Sequence, residues 1–166
     1  DVCSSDLMTG TTRRIQVNHG RNGPRTLEVT IQPGVTDGTR IRMAGQGKPG
    51  QLGGPSGDLF LIVRLSTDDR FQRRGDDLYT IVDVPFFRVA LGGEVEVPTI
   101  QGPRLALTIP PETRSGQRFR LAGQGVPHLG ASGRGDLYAE IRASLPEHLT
   151  DRERALMKEL AALREG

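Results

Sequence analysis

The chain has 166 residues, of which 35% are apolar and 4% aromatic, with 22 glycines and 11 prolines; that is too lean for one thick core and rich in turn formers. Formal net charge is +2, from 22 basic and 20 acidic residues without a block of five like charges, so there is no basic tail for nucleic acid. One cysteine and three widely spaced histidines exclude an intrachain disulfide framework and a cysteine-ligated zinc site, and no apolar run approaches the roughly 20 residues of a membrane span.

Residues 1 to 7, Asp1-Val2-Cys3-Ser4-Ser5-Asp6-Leu7, fit no element and read as a foreign or artefactual segment. Arg14 to Asn18 alternates through Ile15 and Val17 with the period of a half-buried strand. His19 to Pro24 holds Asn22-Gly23, a hairpin signal, and Leu27, Val29 and Ile31 then alternate again. Pro33-Gly34 and Asp37-Gly38 mark a bend before a short strand at Arg40 to Met43, and Gly45 to Gly57 reads as a surface loop. Leu59 to Leu65 is a more continuous apolar run and predicts a strand buried on both faces. Phe71 to Leu78 reads as a turn between units.

From there the chain repeats itself. Shifted by 78 positions, Leu27 to Ser66 falls on Leu105 to Ser144 without a gap, and 17 of those 40 positions are identical. Val95 and Val97 are placed opposite Leu105, Leu107 and Ile109, followed by strands at Arg118 to Leu121 and Leu137 to Ile141. The C-terminus differs in kind: Thr150-Asp151-Arg152-Glu153 is a capping box, and Leu156, Met157, Leu160 and Leu163 form one apolar stripe. This is the only convincing helix in the sequence. It is marginal alone and predicts docking on its own chain or on a second copy.

Catalytic patterns do not survive their geometry. Gly45-Gln46-Gly47-Lys48-Pro49-Gly50 spells a dinucleotide fingerprint, yet Pro49 and Pro55 prevent the helix that a pyrophosphate needs. Asp68-Asp69 and Asp76-Asp77 are neighbours, whose side chains point to opposite strand faces and do not share a proton or metal. Asp58 and Asp136 recur at equivalent positions and are predicted to accept hydrogen bonds from the preceding glycine loop. No enzyme and no cofactor is expected. Ile15 and Val17, with Ile41 to Met43 and Leu59 to Val63, read either as core or as the lining of an exposed apolar groove.

Ile31-Gln32-Pro33-Gly34-Val35, Asp37-Gly38-Thr39-Arg40-Ile41-Arg42, Ala44-Gly45-Gln46-Gly47, Gly57-Asp58-Leu59, Ala90-Leu91-Gly92-Gly93 and Val97-Pro98-Thr99-Ile100 together resemble the C-terminal substrate-binding region of DnaJ-family co-chaperones. The resemblance implies a mainly β architecture of two tandem small β-sandwich domains and a short C-terminal helix. Its expected bounds are 8–77 for a client-binding domain I lacking its first strand, 78–147 for domain II, and 148–166 for a dimerisation helix. With no Cys-rich module between the strands, the chain is similar to the zinc-free, curved-DNA-binding-protein-like subclass, N-terminally truncated.

Carried over by position, the resemblance makes Ile15, Val17, Ile41, Met43 and Leu61 the residues that hold unfolded polypeptide, by strand addition plus side-chain pockets. Arg13 and Arg14 would steer acidic segments. Leu156, Met157, Leu160 and Leu163 would form the homodimer. The implied partners are non-native clients and a DnaK-type chaperone, in the cytoplasm and away from membranes; DNA association, as in some zinc-free relatives, is the alternative.

Overall fold

The computed structural model describes residues 6–18, 23–50 and 54–165. The expected hairpin turn at 19–22 and residues 1–5 of the expected foreign segment 1–7 lie outside the described residues, while Asp6 and Leu7 belong to a short helix rather than to no element. The chain is mainly β. A four-residue helix α1 (Asp6–Thr9) precedes strands β1 (Thr11–Asn18), β2 (Pro24–Ile31), β3 (Arg40–Met43) and β4 (Leu59–Ile62). Next come β5 (Gln72–Arg74), β6 (Asp77–Pro85), α2 (Phe86–Leu91), β7 (Gly93–Val97), β8 (Leu105–Ile109), β9 (Arg118–Leu121), β10 (Leu137–Ser144) and α3 (Asp151–Glu165).

The repeat in sequence is a repeat in structure. β1 pairs antiparallel with β2 as β7 does with β8, where Val95 faces Leu107 and Val97 faces Leu105. β3 pairs antiparallel with β4 as β9 does with β10. Even the bend before β3 recurs: Gly38 N–H donates to Val63 C=O at 2.9 Å and Gly116 N–H to Ile141 C=O at 2.6 Å. The predicted carboxylate latches are both present, Gly45 N–H donating to Asp58 Oδ1 at 3.0 Å and Gly123 N–H to Asp136 Oδ1 at 2.9 Å. Each holds its glycine loop against the start of the following strand.

Among the described residues β6 has no counterpart in the first half. β6 runs parallel to β10, with Leu78 beside Leu137 and Asp83 beside Arg142, giving a four-stranded sheet in the order β5-β6-β10-β9. Leu78, Val82 and Val84 alternate inward from β6 and join Leu137, Ala139, Ile141, Val97, Ile109 and Val126 in the larger core. Met8 also belongs to this larger cluster. The smaller core holds Val29, Ile31, Val35 and Val63.

Two sequence expectations need correction. The run Leu59 to Leu65 is not a strand buried on both faces: Phe60 is 49% and Ile62 63% exposed. Phe60 and Ile62 share one face of β4, which is exposed, and along its edges β4 pairs only with β3 among the described residues. The C-terminal helix is also not the only one. α2 follows Pro85, has no side-chain cap and is stopped by Gly92, whose N–H donates to Arg88 C=O at 2.8 Å. At six residues it is too short for a 3.6-residue period to be read, and it is held by burial of Val89.

The turn between units is a hairpin closed at Gly75, where φ is +64°. From it Arg73 reaches back to the first half, donating to Val35 C=O at 2.8 Å and Gly34 C=O at 3.1 Å. The capping box of α3 is formed as predicted, Thr150 N–H donating to Glu153 Oε2 at 2.7 Å and Glu153 N–H to Thr150 Oγ1 at 3.3 Å. No residue of α3 is buried.

Candidate functional site

An apolar trough of about 130 Å³ opens beside the small core of the first unit. Its floor is Val29, Ile31 and Val63, inward-facing residues of the alternating strand β2 and of the segment leaving β4. Ile15 from β1, Ile41 from β3 and Leu61 from β4 form the walls, each half-buried against that core. The volume suits one or two apolar side chains of a passing chain. Among the described residues β1-β2 and β3-β4 are separate two-stranded sheets, and both line the trough.

Three of the five expected lining residues, Ile15, Ile41 and Leu61, thus come together in one concavity. Met43 packs against the same core from outside the trough. Val17 lies nearer the end of β1, opposite Arg25, outside both trough and core. The period-2 alternation that places Ile15 inward also orients Val17 inward, but the small core does not extend that far along the hairpin.

The charged rim differs from expectation. Arg13 is paired with Asp6 at 2.7 Å and Arg14 with Glu28 at 2.8 Å, so neither offers an unmatched charge to an acidic segment. Arg64, which sequence reasoning passed over, lines the trough and has no ion pair among the described residues. The signal for it was available in the repeat: Arg64 is identical to Arg142 under the 78-residue shift.

Asp58 is anchored beyond its glycine loop as well. The Gly45 N–H chiefly holds its carboxyl below the usual carboxylate range; desolvation opposes it, and the Arg42 guanidinium, with which it forms an ion pair of 2.6 Å, adds to the lowering. The latch is therefore ionised at neutral pH and positions β4 rather than performing chemistry. Asp77 likewise accepts the Asp136 N–H at 2.7 Å, and Asp76 meets the His128 ring at 2.7 Å. These aspartates pin backbone and loop.

A larger cavity of about 520 Å³ lies at the junction of the units, against Leu65, Phe71, Leu78, Ile100 and Val126. Leu78 and Val126 are already buried there, and the polar groups at its rim are engaged, Arg73 with two carbonyls and Asp37 with the Leu65 N–H at 2.9 Å. That cavity is a joint. The trough, with half-buried walls beside an uncovered strand, is the better candidate for binding.

The model of the DnaJ C-terminal domain matches residues 1–146 of this chain. The chain is 48% identical over 143 residues to a chaperone protein DnaJ of Burkholderia mallei, which covers 86% of this chain and 38% of that protein. It is 48% identical over 136 residues to a chaperone protein DnaJ of Polaromonas naphthalenivorans, covering 82% and 36% respectively. With a chaperone protein DnaJ of Neisseria meningitidis it shares 45% identity over 148 residues, 89% of this chain and 39% of that one. The chain therefore spans somewhat over a third of the length of the curated relatives it matches. A duplicated β architecture with carboxylate-latched glycine loops, matched along most of its length at this identity, belongs to the DnaJ C-terminal domain family, which is not a family of enzymes.

Proposed function

We propose that the chain is a client-holding module of a cytoplasmic co-chaperone, which binds extended non-native polypeptide in the trough of its first unit. The observation that carries this reading is the half-burial of Ile15, Ile41 and Leu61 around an open concavity beside a strand edge that is unpaired among the described residues. Unfolded chains expose apolar side chains together with unsatisfied backbone groups, and an apolar trough next to an open edge satisfies both with little demand on sequence. Val17 and Met43 extend the same apolar path on either side. Delivery of the client to a DnaK-type chaperone belongs to the same reading, as the resemblance to DnaJ-family co-chaperones implies.

The stripe of α3 supports dimerisation. Leu156, Leu160 and Leu163 are exposed on a helix that buries none of its residues, with Met157 beside them. A second copy packing helix against helix would cover that stripe and hold two troughs in one particle.

DNA association gains no support from the arginines of the four-stranded sheet. On the four-stranded sheet Arg118 pairs with Glu140, Arg120 with Asp136 and Arg142 with Asp83. These guanidinium groups are already neutralised.

The test of client holding is suppression of aggregation of a chemically denatured protein. Ile15→Asp and Leu61→Asp are expected to abolish most of it while melting at close to the parent temperature, since both side chains are only half-buried. Unchanged suppression in both variants would refute the trough assignment.

A further inference from the structure

We propose that His128 is a pH-sensitive tie in the joint between the two units: protonated, it closes a clasp on Gly34 and holds the first unit fixed against the second, and neutral, it lets the joint loosen. The inference stands apart from client binding, since it uses no residue of the trough. The joint governs how the trough is presented, because the trough belongs to the first unit and α3 follows the second.

The clasp has two jaws. One is the turn between β5 and β6, from which Arg73 holds the Val35 and Gly34 carbonyls and, through Nε, the Gly75 carbonyl at 2.7 Å. The other is the loop after Val126. Its Pro127 carbonyl lies so close to Gly34 that a Cβ there would fall on it, and Gly34 has a φ of +80°, so glycine alone fits between the jaws. Two contacts tie the jaws together. Val126 N–H donates to the Asp76 C=O at 2.8 Å, a backbone bond indifferent to pH. His128 Nδ1 lies 2.7 Å from Asp76 Oδ2, and Asp76 Oδ1 lies 3.5 Å from Arg73. One carboxylate therefore links the loop to the guanidinium that grips the first unit.

Histidine is the side chain whose charge changes between about pH 5 and 8. A neutral ring makes an ordinary hydrogen bond to Asp76, whereas an imidazolium makes a charge-assisted one, shorter and stronger. The charged groups on the elements packed against His128 are Asp76 and Asp77 of the turn, Arg73 of β5, and Arg134 and Asp136 on the returning arm of its own loop. Asp77 is committed to the Asp136 N–H, and Asp136 to the Gly123 N–H and Arg120, which leaves Asp76 as the partner of the ring. Pro33, Gly34 and Val35 bring no charge from the first unit. The two side chains are 41% and 36% exposed, so the gain is modest, about two- to fivefold in the ratio of closed to open joint. It is present while the ring is protonated and is lost as pH rises. The tie is particular to the second unit: under the 78-residue shift His128 falls on Gly50.

Double electron–electron resonance on the full chain tests this, with spin labels at Thr26→Cys and Thr108→Cys in a Cys3→Ser background and an excess of unlabelled chain. Both labelled positions are exposed, one in each unit. From about pH 8 to about pH 5.5 the distance distribution is expected to narrow, the ratio of narrow to broad component rising about two- to fivefold. The midpoint should coincide with the titration of the His128 ring protons followed by nuclear magnetic resonance. His128→Gln and Asp76→Asn should keep the broad distribution at both pH values, and His148→Gln should leave the response intact. Both joint side chains are half-exposed, so these variants are expected to melt like the parent, checked by tyrosine fluorescence of the larger core. A distribution indifferent to pH, a response that survives His128→Gln, or a His128 ring that does not titrate over this interval would each overturn the tie.

Discussion

Leu59→Ala and Leu137→Ala are the same change at the same place in the two repeats, and they should not cost the same. Leu137 is fully buried between β9 and β6, so its truncation removes transfer free energy and leaves a closed cavity, together about 3 kcal/mol within the usual 2–5 kcal/mol range. Leu59 is partly exposed, with no strand beyond it among the described residues. Its truncation leaves a dent open to water, so only part of the transfer term is lost, about 1 kcal/mol. Hydrogen exchange followed by mass spectrometry reads the opening free energy of peptides from each unit separately, which avoids assuming that the units unfold together. Tyrosine fluorescence gives a second readout of the larger core alone, because both tyrosines of the chain, Tyr79 and Tyr138, sit on β6 and β10. If Leu59→Ala costs as much as Leu137→Ala, β4 is covered and the reasoning from an open edge is wrong.

A second matched pair is Gly135→Ala and Gly57→Ala: the first drives a Cβ onto the Asp76 carbonyl and should destabilise the second unit strongly, whereas the second should change its melting little. Thr150→Ala removes the cap of a helix with no buried residue and should cost about 1 kcal/mol of helix stability, seen as lost far-ultraviolet ellipticity. Leu156→Glu with Leu160→Glu should convert a dimer to a monomer in sedimentation without altering the melting of either β unit; a parent chain that sediments as a monomer would refute the dimer. Asp83 has its carboxyl lowered from 3.8, chiefly by its hydrogen bond to Arg142. A depressed native value stabilises the fold above the unfolded value and loses that contribution as pH falls through the native one. Protection of β6 and β10 should therefore decline below about pH 3.8, and Asp83→Asn should remove that part of the acid response.

Local signals were legible wherever their physics is local. The period-2 alternation in β1, β2, β7 and β8, the Thr150–Glu153 capping box and the Asp58 and Asp136 latches each depend on a few neighbouring residues, and each is found in the structure. α2 escaped because its six residues are too few to show a period and it is held by burial of Val89. The two-faced burial predicted for Leu59 to Leu65 failed because an apolar run reports what a strand can bury and not what lies beside it. The same limit applies to Arg13, Arg14 and Arg64: their partners, or lack of them, depend on strands distant in the chain.

The sequence alone determined the duplication, the β class and the positions of latches and cap, since repeated residues and short-range hydrogen-bonding groups carry those features within themselves. Only the tertiary structure decided that Ile15, Ile41 and Leu61 share one trough, that Val17 stands outside it, and that the strand covering β10 is β6, in parallel register. The physical reason is that burial and strand pairing are properties of neighbours in space, and two repeats with 17 identities in 40 positions show different surfaces when, among the described residues, only one of them lies against a further strand.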